Sequence, residues 1–254
     1  MFDLHGRVAV ITGAASGIGA ATARVFAQAG ADVALGWFPG DPHDIEPVRA
    51  AVSGRAIVAE VDVRDPASVD ALVERCVAEL GRVDIAVANA GIARRVPLEA
   101  LDDDAWHTTL DVDLTGAWRL FRATLPHMRA AGYGRLLATS SVAGTVSGWP
   151  EHPHYTAAKA GLVGLVQTLA VEYGPDGITA NAVAPGVIET PQALDPVNSL
   201  GPEALAAVAP QVPVRRVGQP EDIAHLFAFL ASEEAGYVSG QLIVADGARS
   251  AAGL

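Results

Sequence analysis

The stretch Val8-Ala9-Val10-Ile11-Thr12-Gly13-Ala14-Ala15-Ser16-Gly17-Ile18-Gly19 decides the fold. Its first four residues are uniformly apolar, as expected of a strand buried on both faces. The run stops at glycines spaced G-x-x-x-G-x-G, and a helical pattern follows over residues 18–28, closed by Gly30. Residues 31–35 then read as a second strand. Strand, tight glycine turn, helix and strand open a βαβ unit. A glycine loop by itself can be only a turn. Between a strand and a helix N-terminus, its glycines let a pyrophosphate approach backbone N–H groups that have no partner within the helix.

The alternation continues to the C-terminal end. Residues 56–60, 83–88, 136–139, 178–182 and 240–244 are further apolar strands, the last two separated by a long irregular stretch. Helices are expected over residues 45–53, 66–80, 106–128, 155–173 and 220–230, with Asp65-Pro66 starting the second of them. Apolar strands alternating with helices imply an α/β fold: a Rossmann-type doubly wound parallel sheet covered on both faces. There is no internal repeat and no linker, so residues 1–254 read as a single domain for dinucleotide binding and catalysis. The proline-rich segment at about 189–219 reads as a substrate lid, because an apolar strand that must join the sheet follows it.

Bulk composition excludes several function classes. The 254 residues, half of them hydrophobic, are enough to bury a sizeable core. With 17 basic against 29 acidic residues the formal net charge is -12, which speaks against a nucleic-acid partner and against anionic membranes. It does not exclude an anionic cofactor held by a local nest of backbone N–H groups. Cys76 is the only cysteine, so no intrachain disulfide can form, and its helical neighbours make it a packed core thiol. No basic leader precedes a long apolar run, and the apolar pieces are too short to span a membrane. Cytoplasmic is the expected location.

Far from the glycine loop, Tyr155-Thr156-Ala157-Ala158-Lys159 places a phenol and an ammonium four residues apart, on one helix face. A neighbouring positive charge favours the phenolate and is expected to lower the tyrosine pKa from its ordinary value of about 10. Such a pair can give a proton to a carbonyl oxygen or take one from an alcohol. By itself the spacing also occurs on solvated helices, so its weight comes from the glycine loop.

Taken in order, Thr12 to Gly19, Asp62, Asn89-Ala90-Gly91, Ser141, Tyr155, Lys159, Pro185-Gly186 through Thr190, and Asp246-Gly247 resemble the short-chain dehydrogenases/reductases of the classical type over nearly the whole chain. The resemblance implies a nicotinamide cofactor, with Gly13, Gly17 and Gly19 around the diphosphate, Asp62 at the adenine and Asn89 lining the cleft. Ile188 and Thr190 would hold the carboxamide, and Lys159 the nicotinamide ribose. The implied cofactor set also takes in Thr12, Ser16, Ile18, Val63, Ala90, Gly91, Tyr155, Pro185 and Gly186. Local alternatives stand beside these roles, since Asp62 could cap a loop and Asn89 could satisfy backbone groups at a strand end. Tyr155 is the expected acid/base, Lys159 its activator, and Ser141 the hydroxyl that holds the substrate oxygen.

Two departures from the family pattern matter. Asp113 stands where the family usually has asparagine; it would accept but not donate hydrogen bonds, either supporting a water-linked relay through Lys159 or simply fixing the long helix. Tyr155 is fourteen residues after Ser141, one more than is common, with Ser140 as the fallback hydroxyl.

Cofactor preference turns on Gly36, Trp37 and Phe38, expected at the edge of the adenosine ribose. Trp37 replaces the aspartate usual in NAD-preferring relatives, and no arginine stands at Phe38. Absence of a cation favours NAD(H) without excluding NADP(H), because a 2'-phosphate needs pairing. Alternatively, Trp37 and Phe38 pack against the next helix.

His152 and His154 could suggest a metal, but without a third ligand they read as substrate-pocket wall or loop surface beside Trp149, and no metal is expected. Arg94 and Arg95 could meet a substrate carboxylate or phosphate, or form salt bridges. The expected reaction interconverts a small-molecule secondary alcohol and a ketone. The alternatives are a 3-oxoacyl-thioester reductase with a basic mouth from Arg94, Arg95, Arg129, Arg215 and Arg216, or a non-catalytic dinucleotide-binding protein. No serine lies in the elbow of a hydrolase. A homotetramer is expected from the resemblance, with Gly161 and Gly164 allowing close approach of helices across a twofold axis or, instead, packing within the subunit.

Overall fold

The computed structural model describes residues 2–253. β1 (Val8–Thr12) is buried along its whole length and pairs in parallel with β2 (Asp32–Trp37) on one side and β4 (Ile85–Ala88) on the other. The sheet has seven parallel strands in the order β3-β2-β1-β4-β5-β6-β7, completed by β3 (Ala56–Glu60), β5 (Gly134–Thr139), β6 (Ile178–Pro185) and β7 (Leu242–Ala245). The chain therefore builds outward from β1 to β3 and then returns to the other side of β1. That reversal opens a crevice at the carboxyl ends of β1 and β4, the place where such sheets bind ligands.

Successive residues of β1 face opposite layers. Ala9 and Ile11 meet α1 (Gly17–Gln28) and α9 (Pro220–Ala231), around Phe26 and Phe227. Val8 and Val10 meet α3 (Pro66–Leu80), α5 (Gly116–Ala131) and α6 (Pro153–Tyr173), around Leu72, Phe121 and Leu162. Burying each such large side chain contributes about 1.5–3 kcal/mol. α2 (Glu46–Ala51) covers one edge of the first layer through Val48.

The expected single helix over residues 106–128 is instead three pieces. α4 (Asp103–Leu110) is capped by Asp102, whose carboxylate accepts from Ala105 N–H. It passes into a π-helical turn, Asp111–Thr115, closed by the Gly116 N–H bonding to Asp111 O, and then into α5. The wider turn is a feature often found at functional sites, and Asp113 stands in it. A π-turn keeps helical polarity and spacing within one residue, so periodicity alone does not reveal it. α6 starts two residues earlier than expected, with Pro153 in its first turn, where the missing N–H costs nothing. The segment at about 189–219 is also more ordered than its prolines suggest, holding α7 (Pro191–Leu194) and α8 (Gly201–Val208). β6 runs on to Pro185, and β2 to Trp37, beyond their expected ends.

Candidate active site

The Gly13 backbone has φ +66°, a left-handed turn that side chains resist, and it lies against the backbone of Ala90 at the end of β4. A Cβ on Gly19 would collide with Gly13 O and come within 2.6 Å of Asn89 Nδ2. The first turn of α1 is thereby held close to the β1 and β4 ends. Ser16, the N-cap of α1, makes no side-chain cap bond, so its hydroxyl does not occupy the first-turn N–H groups. These groups form a cradle whose close approach to the β1 and β4 ends no Cβ at Gly13 or Gly19 would allow, and it fits the diphosphate of a nicotinamide dinucleotide.

Asn89 ties the strand ends together. Its Nδ2 donates to Thr12 O and Gly13 O at 3.2 and 3.1 Å, and its Oδ1 accepts from the Thr139 hydroxyl at 3.0 Å. The Thr12 hydroxyl accepts from the N–H groups of Asn89 and Ala90. Thr12 and Gly19 lie behind the cleft wall and shape it, whereas Gly13, Ser16, Gly17, Ile18, Asn89, Ala90 and Gly91 line it. The cleft encloses about 1380 Å³.

At the end beyond β2 and β3 the cleft is lined by Phe38, Asp41, His43, Asp62, Val63 and Arg64. Trp37 is absent from this wall, contrary to the sequence expectation, because it is the last residue of β2 and packs into the layer with α1 and α9. Phe38 takes the exposed place. Asp62 does not stand free: Arg64 donates to both its oxygens through Nε and Nη2, and Arg64 N–H binds Oδ1. The guanidinium beside it holds the Asp62 carboxyl below the usual carboxylate range. The Arg64 guanidinium also lies 5.7 Å from the Phe38 ring centroid.

At the other end, the first turns of α6 bring Tyr155 and Lys159 into the same cleft as Ser141, Pro185, Gly186, Ile188 and Thr190. The Lys159 ammonium is 5.5 Å from the Tyr155 ring centroid. Ser141 and Gln192 line the cleft with Tyr155, and both act to favour its phenolate. Ser141 Oγ also accepts from Ala143 N–H at 3.1 Å. Ser140, the fallback, is spent elsewhere: its hydroxyl donates to Lys159 O at 2.8 Å. Gln192, on α7, had no motif to reveal it, because only the fold brings residue 192 beside residue 155. Thr190 caps α7, accepting from Ala193 N–H.

Charge in this corner is settled by burial as much as by pairing. Burial pushes the Tyr155 phenol above its ordinary pKa, and the nearby Asp113 carboxylate adds to the rise; Lys159 offsets only part of it. The expected lowering of Tyr155 is therefore reversed in sign in the protein alone. Burial works against the Lys159 ammonium too, but Asp113 and Tyr155 outweigh it and hold Lys159 above the ordinary lysine value. Asp113 is fully buried and lies behind the cleft wall. Its Oδ1 accepts from Ile92 N–H at 2.8 Å and its Oδ2 is 3.2 Å from Lys159 Nζ, while burial pushes its own carboxyl upward. It anchors the loop after β4 to the lysine.

His152 stacks on Trp149 at 3.7 Å, and its ring nitrogens meet Pro150 O and Asn198 O. Trp149 in turn stands edge-on to Tyr155 and lines the pocket, whereas His152 is fully buried and, contrary to the pocket-wall expectation, does not line it. His154 is fully buried with both ring nitrogens unpartnered among the described residues; burial, then the charges of His152 and Arg94, depress its pKa. The anticipated basic mouth is largely neutralised. Arg95 binds Ser199 O and faces Glu151, Arg129 pairs with Asp176, Arg215 binds Pro210 O and Arg216 pairs with Asp222.

A seven-stranded parallel sheet with a glycine cradle at its switch point and a Ser-Tyr-Lys corner in the same cleft defines a nicotinamide-dependent oxidoreductase. The chain belongs to the short-chain dehydrogenase/reductase family. A family model described as Enoyl-(Acyl carrier protein) reductase matches residues 13–248. The chain is 43% identical over 246 residues to a cis-4-hydroxycyclohexanecarboxylate dehydrogenase of Sinomonas cyclohexanicum, covering 96% of this chain and 97% of that one. It is 38% identical over 245 residues to the 3-oxoacyl-acyl-carrier-protein reductase FabG of Thermotoga maritima, covering 96% and 98%. Among solved structures, levodione reductase superposes with a TM-score of 0.90 at 35% identity, over 98% of this chain and 99% of that one. The protein is an NAD(P)-linked oxidoreductase that interconverts an alcohol and a ketone.

Proposed function

We propose that the chain interconverts a small secondary alcohol and its ketone with NAD(H), and that Tyr155 carries the proton. The observation that carries this reading is the meeting of Ser141, Tyr155 and Lys159 in the cleft that the glycine cradle opens. The nicotinamide, when bound, supplies or takes the hydride. In reduction, the Tyr155 hydroxyl gives its proton to the substrate oxygen; in oxidation, the phenolate takes it back. Ser141 holds that oxygen and steadies the charge on it. Lys159, kept charged by its surroundings, eases the formation of phenolate. Gln192 supports a lid role for residues 189–219, since α7 carries it into the cleft that Tyr155 lines.

Assay of alcohol oxidation and ketone reduction with Tyr155→Phe tests the reading. Full activity in that variant overturns it. NAD(H) is favoured over NADP(H) because Arg64, the cation at the adenosine end, is already bound bidentately by Asp62.

The small-alcohol reading is preferred to an acyl-carrier partner because four of the five candidate arginines already hold local acceptors. We also infer a homotetramer, supported by the outer face of α5 and α6, where Trp118 is 43% and Val171 82% exposed. Gly164 is open, whereas Gly161 packs on Leu114 within the subunit. A monomeric mass by light scattering would defeat it. A cytoplasmic setting is supported by the single reduced cysteine; among the described residues no helix is long and apolar enough to cross a membrane.

A further inference from the structure

Sixteen arginines and one lysine are the whole cationic complement of this acidic chain. Nearly all of them are engaged. Among the described residues, only the side chains of Arg49, Arg94 and Arg249 make neither a hydrogen bond nor an ion pair, and two of these three line the same cleft as Tyr155. Arg49 lies on α2, outside it.

Arg249 is the more telling of the pair. It is only partly exposed, and its Nε–H is buried without an acceptor among the described residues. A buried guanidinium donor left unmade is costly, more so because it is charged. The acids closest in sequence do not serve it. Asp246 accepts from Ser250 N–H at 2.8 Å, and Asp195 on the lid is taken by Val197 and Asn198.

The positions place both arginines at the substrate end. Arg94 follows Gly91 by three residues, and a Cβ on Gly91 would stand 3.1 Å from Lys159 Nζ. Arg249 follows Asp246, which packs on Gly186 beyond β6, and Gly247, which abuts Val212 and Val214 of the lid. The diphosphate cradle, by contrast, lies at the N-terminus of α1. With acids in excess throughout the chain, two arginines without acceptors facing one cleft call for an anion from outside.

We propose that Arg249 and Arg94 receive a carboxylate carried by the substrate, so that the enzyme acts on an alcohol or ketone that is also an acid. The inference rests on the oxidoreductase reading above and names its substrate class. A guanidinium binds a carboxylate through paired N–H donors, and the partly closed cleft limits screening by water. Arg249, only partly exposed and lining the cleft, supplies the primary contact through its guanidinium. Arg94, more exposed, attracts and steadies the anion.

The test is calorimetric titration of the protein saturated with NAD+, using cyclohexanecarboxylate and, separately, cyclohexanecarboxamide. The two probes share a ring and nearly a shape, and differ in charge. The carboxylate is expected to bind at least about tenfold more tightly, in line with a charged hydrogen bond. In the Arg94→Gln/Arg249→Gln protein the preference should vanish. Equal affinity, no binding of either probe, or a preference that survives the double substitution overturns the inference. Oxidation of uncharged cyclohexanol by the unaltered protein separates the two levels. Turnover of cyclohexanol without a carboxylate preference removes the acid site and leaves the dehydrogenase reading standing. If no alcohol, charged or neutral, is oxidised, that reading falls with it.

Discussion

Lys159 Nζ lies 3.2 Å from Asp113 Oδ2, and neither side chain is more than 5% exposed. The pair joins the π-turn before α5 to the catalytic face of α6, and the other oxygen of Asp113 holds Ile92 N–H. Lys159 donates to Thr139 O as well, at 3.1 Å. One carboxylate therefore fixes both the position of the lysine and the loop that follows β4.

Asp113→Asn should expose what the charge contributes. Asparagine can still accept from Ile92 N–H, so the loop stays anchored while the ammonium loses its counter-charge. Breaking a buried pair typically costs about 3–5 kcal/mol; the retained Thr139 carbonyl places this variant near the lower figure. Asp113→Ala, which also orphans Ile92 N–H, should lose more in urea denaturation. The kinetic sign is opposite. The Asp113 charge raises the Tyr155 pKa, so its removal favours phenolate, and the acid limb of kcat/KM for alcohol oxidation should move to lower pH. An unmoved limb would confine Asp113 to a structural role.

Tyr155→Phe should lower kcat/KM by about 10²–10⁴-fold, the usual worth of a positioned acid/base. Its affinity for the dinucleotide should hardly change. Lys159→Ala should weaken both catalysis and cofactor binding, because one ammonium has two assigned tasks. Ser141→Ala should impair turnover, whereas Ser140→Ala should show mainly as lost stability, its hydroxyl being bonded to the α6 backbone. Steady-state kinetics beside fluorescence titration of each variant separates these outcomes.

What the sequence made legible is what depends on neighbours along the chain. The glycine turn, the alternation of strands and helices, and the Tyr155–Lys159 spacing are all local patterns. The π-turn at Asp111–Thr115 was hidden because one extra residue in a turn barely disturbs helical periodicity. Of the two places open to Trp37, the ribose edge or packing, the second fits the fold: β2 pairing runs two residues further than expected and leaves Trp37 partly buried against the α1 layer, with Phe38 outside. The Tyr155 shift had the wrong sign because a neighbouring charge is visible in sequence and burial is not. Gln192 and Arg249 reach the cleft only through the lid and the segment after β7, so no spacing announces them.

Cys76, alone of its kind, is a natural reporter of opening. It is fully buried on α3, and burial pushes its thiol up to about 12, with the Asp84 charge adding to the rise. At pH 8 the native protein should therefore resist a disulfide reagent such as dithionitrobenzoate, since only thiolate attacks. In denaturant, labelling should appear with the loss of far-ultraviolet circular dichroism. Rapid labelling of native protein would mean that α3 opens independently of the sheet.

The proposed preference for NAD(H) turns on whether Arg64 is available. Its guanidinium is bound to Asp62, beside Phe38, at the end of the cleft beyond β2 and β3 to which the proposal assigns the adenosine. A 2'-phosphate carries close to two negative charges and needs cationic donors. To meet it, Arg64 would have to leave Asp62, and the freed carboxylate would then repel the phosphate. The ribose hydroxyl of NAD(H) is neutral and imposes no such exchange. NADH should accordingly bind more tightly than NADPH in direct titration of the unaltered protein. Asp62→Asn removes the competing charge and releases Arg64, so it should narrow the gap by raising affinity for NADPH. Substantially tighter NADPH binding before any substitution would reverse the preference and place Arg64 at the phosphate. An Asp62→Asn protein with unchanged discrimination would show that the pair does not govern the choice.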